Sequence, residues 1–114
     1  MKVERTEYGR ALVNGAGKAF YLFDAETSSK PECYGDCAVA WPPVLAKGKP
    51  VAGRGAKAGK LGTTRRSNGK RQVTYAGHPL YYYIHDTPDR ILCQDVVEFG
   101  GRWLLVKPSG RALR

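Results

Sequence analysis

One pattern occurs twice in this chain, sixty residues apart, and any fold it adopts must accommodate both copies. The first reads Val13-Asn14-Gly15-Ala16-Gly17-Lys18-Ala19-Phe20-Tyr21-Leu22-Phe23-Asp24-Ala25-Glu26-Thr27. The second reads Val73-Thr74-Tyr75-Ala76-Gly77-His78-Pro79-Leu80-Tyr81-Tyr82-Tyr83-Ile84-His85-Asp86-Thr87. Val13/Val73, Gly17/Gly77, Tyr21/Tyr81 and Thr27/Thr87 are identical, and Phe20/Leu80, Phe23/Tyr83 and Glu26/Asp86 are chemically alike. The register continues to Cys33 and Cys93, and a tryptophan follows each copy, Trp41 and Trp103. Self-similarity at a fixed period marks a duplicated structural unit.

Within each copy the local signals are those of a hairpin. Tyr8 to Asn14 reads as a strand, Asn14-Gly15-Ala16-Gly17 as a glycine-rich turn and Ala19 to Asp24 as the return strand. Gln72 to Tyr75, the turn Ala76-Gly77-His78-Pro79 and Leu80 to His85 repeat that hairpin, and Arg102 to Lys107 adds a further strand. Phe20 to Phe23 is apolar throughout, which predicts a strand covered on both faces. Cys33, Cys37, Ala38 and Ala40 are spaced for one or two helical turns, which Trp41-Pro42-Pro43 ends. Fourteen Gly and seven Pro among 114 residues favour turns over long helices. The expectation is a predominantly all-β fold, a single domain over 1–114, with sandwich and barrel both open. It contains two β-meander units at about 8–45 and 68–110, one short helix around Cys33 to Ala40, and a joining basic loop over 46–67, of which Lys47 to Gly59 reads as mobile and Leu61-Gly62-Thr63 as a return to the sheet. Leu12, Phe20, Leu22, Trp41, Leu80, Tyr82, Val96, Phe99, Trp103 and Leu105 are the predicted core.

The net charge of +9 is concentrated in one segment. No acidic residue lies between Cys37 and Asp86, whereas Lys47, Lys49, Arg54, Lys57, Lys60, Arg65, Arg66, Lys70 and Arg71 crowd the middle of the chain. Elsewhere ten bases meet ten acids. A concentrated basic stretch suits phosphates or anionic head groups and is the predicted contact loop. Nucleic acid is a poor partner, because the lysines are diluted with Gly and Ala and no aromatics interleave with them. No apolar run approaches the roughly 20 residues that a membrane helix needs. The start Met1-Lys2-Val3-Glu4-Arg5 carries no apolar signal-peptide core, so these residues alone read as cytosolic or as a chain stripped of its leader.

The side chains with chemistry are few. Cys33 and Cys37 can form a disulfide if the local turn brings their Cα atoms within about 7 Å. Their spacing is one residue too long for the usual Cys-x-x-Cys exchange motif, and pairings of either with Cys93 stay open. His78 is expected in a solvent-facing turn and His85 half-buried on a strand face with Tyr81 and Tyr83. Three cysteines, two histidines and Asp86 show no ligand spacing for a metal. Tyr75, Tyr81, Tyr82 and Tyr83 read as sheet packing rather than an exposed stacking platform. Glu26 and Asp86, equivalent by duplication, are expected to cap turns by accepting backbone N–H bonds rather than to act as an acid/base pair. No nucleophile, triad or phosphate-cradling loop is present, so no catalytic residue, cofactor or metal ligand is expected.

Several blocks occur together and in order: Phe20-Tyr21-x-Phe23, Cys33-x3-Cys37-Ala38-x2-Trp41-Pro42-Pro43, Arg66-x-Asn68-Gly69, Gln72-Val73-Thr74-Tyr75-x-Gly77-x-Pro79-Leu80-Tyr81 and Phe99-Gly100-Gly101-x-Trp103. From Tyr8 to Gly110 the chain resembles the bacterial secreted-repeat family, also called predicted lipoproteins or secreted repeat proteins with a Y-x4-D motif. Tyr81-x4-Asp86 fits that motif, Tyr21-x4-Glu26 departs from it by one methylene, and Cys93 stands where such proteins generally carry a small residue. The resemblance implies an exported, cell-envelope location and no established catalytic activity. The expected function is therefore a non-catalytic envelope module that binds or scaffolds, its partner an anionic envelope component or membrane surface. The alternative is an extracytoplasmic redox or metal-associated accessory protein acting through Cys33 and Cys37.

Overall fold

Phe20 to Phe23 runs through the middle of the molecule with apolar side chains packed on both of its faces. In the computed structural model, which describes residues 1–88 and 90–114, Phe20 and Leu22 point to one side. There they join Leu12, Leu80, Leu104 and Val106. Tyr21 and Phe23 point to the other side, among Val13, Tyr81, Trp103 and Leu105. This is the two-residue alternation of extended chain used to fill two cores at once.

The elements in order are β1 (Lys2–Thr6), β2 (Gly9–Val13), β3 (Tyr21–Phe23), α1 (Asp36–Ala40), β4 (Leu61–Arg65), β5 (Arg71–Tyr75), β6 (His78–Pro79), β7 (Val96–Glu98) and β8 (Gly101–Leu105). They form three antiparallel sheets, β1-β2, β3-β8-β7 and β4-β5-β6, which do not close a barrel among the described residues. The fold is predominantly β with one short α-helix, as the sequence predicts, and a 3-10 turn at Ala58–Lys60 precedes β4.

The two copies do not sit side by side as self-sufficient units. Each receives its final extended segment from the other. β3 of the first copy pairs with β8 of the second, Tyr21 opposite Leu105 and Phe23 opposite Trp103, and Leu12 N–H donates to the Val106 carbonyl at 2.9 Å. Reciprocally, Tyr81 of the second copy bridges Pro43 of the first, and Val73 N–H donates to the Val44 carbonyl at 2.8 Å. The local dyad passes between Tyr21 and Tyr81, whose amides donate to each other's carbonyls at 2.8 and 2.9 Å. Trp41 and Trp103 stack across it, with centroids 4.2 Å apart and planes within 4°.

Several local expectations are corrected. Leu80 to His85 is not one strand: after Tyr81, Tyr82 N–H donates to Pro42 and Ile84 N–H to Ala40, and the chain then turns at Ile84 and His85. The first copy's own tail thus supplies the backbone partners. Phe99 is not core but 49% exposed, because it occupies a two-residue turn between β7 and β8 at φ +54°, followed by Gly100 at φ +85°. Side chains at such a turn project away from the sheet. Val96 and Tyr82 are half-buried, the latter because its ring covers Phe20 while its hydroxyl accepts from Asn14 Nδ2 at 3.2 Å. Gly101 has a steric purpose: a Cβ there would lie 2.5 Å from Phe23 Cε1 and 2.7 Å from Ala25 Cβ. The stretch before β4 is tied along β1 and β5, through Val3 N–H to the Arg54 carbonyl (2.8 Å), Gly53 N–H to Met1 (2.5 Å) and Ala76 N–H to Lys60 (2.8 Å).

Candidate functional site

At the dyad each tyrosine hydroxyl reaches across to the carboxylate of the other copy. Tyr21 Oη donates to Asp86 Oδ2 at 2.5 Å, and Tyr81 Oη donates to Glu26 Oε2 at 2.6 Å. The Tyr-x4-Asp/Glu pairs therefore never bond within their own repeat. Both carboxylates also cap a turn, as their duplicate placement predicts: Glu32 N–H donates to Glu26 Oε2 (2.8 Å) and Leu92 N–H to Asp86 Oδ1 (2.9 Å). The symmetry breaks at one methylene. Asp86 divides its two donors between two oxygens, whereas the longer Glu26 takes both on Oε2 and leaves Oε1 buried without a hydrogen-bond partner.

Burial sets the electrostatics of both carboxyl groups. Burial pushes the Glu26 carboxyl up to about 7, against the opposing pull of the Tyr81 and Glu32 donors and the nearby Arg66 charge. Burial also raises Asp86. Both hydroxyls are held above the ordinary tyrosine range, first by burial and then by the facing carboxylate, so they remain donors. A carboxylate whose folded pKa is raised binds its proton more tightly in the native state. Its stabilising effect is complete below the unfolded value of 4.5 and is lost as pH rises through about 7. Stability to denaturant is therefore expected to fall by about 2–3 kcal/mol between those limits through this group. Glu26→Gln should flatten that part of the profile and be the more stable protein at alkaline pH. A variant with the wild-type slope would contradict the assignment.

Near Glu26 lies a buried cation. Arg66 is only 4% exposed; its guanidinium donates to Gln72 Oε1 (2.8 Å) and the Cys33 carbonyl (2.6 Å) and covers the Tyr34 ring at 4.3 Å. Of the predicted basic contact residues it alone is turned inward. Lys60 is half-buried, and Lys47, Lys49, Arg54, Lys57, Arg65, Lys70 and Arg71 are exposed. The two ion pairs found among the described residues, Lys2–Glu4 and Arg102–Asp95, involve none of them.

Cys33 and Cys37 form a disulfide spanning the entry to α1, and Cys93 is free. Both bonded cysteines belong to the core, Cys33 wholly buried and Cys37 7% exposed. Cys93 is half-buried, and burial raises its thiol pKa. The histidine placements are the reverse of those expected. His78 pairs within β6 and is half-buried, with desolvation lowering its pKa, while His85 is exposed in the turn with its ring against Tyr83. The reason is the early end of the strand at Tyr81. Among the described residues no three His, Cys, Asp or Glu side chains converge as a metal site. Tyr75 and Tyr81 are fully buried packing residues, as read, while Tyr82 and Tyr83 are partly covered.

A family model described as a secreted repeat of unknown function, Lipoprotein_15, matches residues 2–45 and again 62–107. The chain belongs to this family. The second match is displaced by 60 residues at its start and 62 at its end, the same drift that separates Tyr21/Tyr81 from Trp41/Trp103. Neither the curated proteins nor the solved structures yield a match to this secreted-repeat chain. A secreted family and a formed disulfide both point to the extracytoplasmic side. Among the described residues no helix is long and apolar enough to cross a membrane. Sequence reasoning missed Arg66 as an interior residue. The only signal for it was its place in the Arg66-x-Asn68-Gly69 block, ahead of a turn rather than within the lysine-rich stretch.

Proposed function

We propose that this secreted repeat is a non-catalytic cell-envelope module whose basic segment docks on an anionic envelope component. The observation that carries the reading is the set of eight bases from Lys47 to Arg71 that remain outside the core once Arg66 is discounted, without an ion-pair partner among the described residues. The interior supports a scaffolding role. The Tyr21 and Tyr81 hydroxyls are committed to the crosswise pairs with Asp86 and Glu26, and its disulfide presents no exposed sulfur pair for exchange with a partner.

Binding of this kind is salt-sensitive, since each Lys or Arg near an anionic surface contributes about 1 kcal/mol that screening removes. The wild-type chain should be retained on immobilised linear polyphosphate and on phosphatidylglycerol vesicles at about 50 mM salt and largely released at about 200 mM. A variant carrying Lys47→Gln, Lys49→Gln, Arg54→Gln and Lys57→Gln should bind about 1000-fold more weakly at low salt. Equal retention of variant and wild type on both probes would refute the reading.

A further inference from the structure

We propose that the groove beneath the Ala46–Val51 strap seats an anionic phospholipid of a bilayer, with head group on the lysines and acyl chain on the apolar floor. The proposal rests on the docking function above and names its partner. Two cavities of about 330 and 470 Å³ share Ala46, Gly48, Lys49 and Pro50 as a common wall. Both fall in the size range of small-molecule sites. Buried Phe20, Val44 and Val73 form the floor of the first, and half-buried Leu61 borders the second. Lys47 and Lys49 line the first and Lys49 and Arg71 the second, and among the described residues no carboxylate lines either.

Two features select a lipid in a membrane over a free anion. Leu45, 43% exposed, and Val51, 75% exposed, leave aliphatic side chains uncovered on the same strap that carries the lysines. Aliphatic groups flanked by long cationic side chains suit the plane where head groups meet acyl chains, with lysine stems spanning the boundary. These cations also have no ion-pair partner among the described residues, which fits an anionic surface. The larger cleft, about 540 Å³, has a different character. There Lys107, Arg111 and Arg114 share the lining with the carboxyl groups of Asp24 and Glu26, so its cations are partly compensated within the cleft.

The test separates apolar seating from charge. A Leu45→Ser/Val51→Ser double variant retains every charge and alters only surface side chains, so its thermal midpoint should match the wild type. Its partitioning onto phosphatidylglycerol vesicles should fall about tenfold, while its retention on polyphosphate stays unchanged. A Leu45→Trp variant, excited with the wild type as background, should gain a blue-shifted emission on phosphatidylglycerol vesicles that brominated acyl chains quench. Undiminished vesicle binding by the double variant, no quenching in Leu45→Trp, or binding to free oleate but not to vesicles would each overturn the lipid seat. Retention on polyphosphate without any vesicle binding would overturn it while leaving the docking function standing, and loss of both would end both.

Discussion

Trp103→Ala is expected to destabilise the protein by about 3–5 kcal/mol, a large part of the stability available to a domain of this size. Its indole stacks on Trp41 at 4.2 Å and on Phe23 at 4.1 Å, and meets the edge of Tyr81 at 5.2 Å. It also donates from Nε1 to the Glu98 carbonyl at 3.1 Å, while Trp41 Nε1 donates to the Glu98 carboxylate at 2.9 Å. The substitution removes contacts on both ring faces at once, at the point where β8 of one repeat lies against β3 of the other. Denaturant midpoints give the loss, and near-ultraviolet circular dichroism should lose the signal of the stacked pair. A Trp41/Trp103 double-mutant cycle should show a coupling of about 0.5–1.5 kcal/mol. A loss below about 1 kcal/mol for Trp103→Ala would mean that the stack is not what joins the repeats.

Arg66→Met should cost about 2–4 kcal/mol. The methionine fills much of the volume but leaves the Cys33 carbonyl and Gln72 Oε1 without their donors. It also removes the cation lying over Tyr34 and the charge that draws the Glu26 pKa down. The Glu26 carboxyl should therefore titrate higher still in the variant, displacing the pH profile alkaline, a change that simple loss of packing does not produce. Arg66→Lys keeps the charge without the planar fork that reaches two acceptors, so it should recover the titration more than the stability. An unchanged midpoint in Arg66→Met would place the guanidinium outside the structural core.

The sequence carried the fold class, the duplication and the family because these depend on local pattern. Gly-rich turns between apolar runs, a Cys-x3-Cys ahead of Trp-Pro-Pro and the sixty-residue register are all legible without a third dimension. The pairing partners were not legible. Tyr21 and Glu26 invite a reading as one motif, yet β3 ends at Phe23 and the chain turns at Asp24 and Ala25, and each finds its partner in the other repeat. The exposure of Phe99 was hidden for a related reason. An apolar residue before Gly-Gly scores as core, and only the positive φ of the turn reveals that it points outward. In the same way, Arg66 is one base among nine between Lys47 and Arg71, and only the close approach of Cys33 and Gln72 distinguishes it. The consequence of replacing Asp with Glu at position 26 becomes visible only beside its counterpart at Asp86, an internal control that duplication supplies.

The traded final strands bear on how such a chain is made. β3 waits for β8, so the pairing that closes the first repeat forms only after nearly the whole chain is present, whereas Val44 waits only for Val73. An emerging chain therefore contains no finished first half, because the first repeat lacks its closing strand until Val106 has been made. For a secreted protein, an architecture that postpones completion keeps the unfinished chain fit to travel.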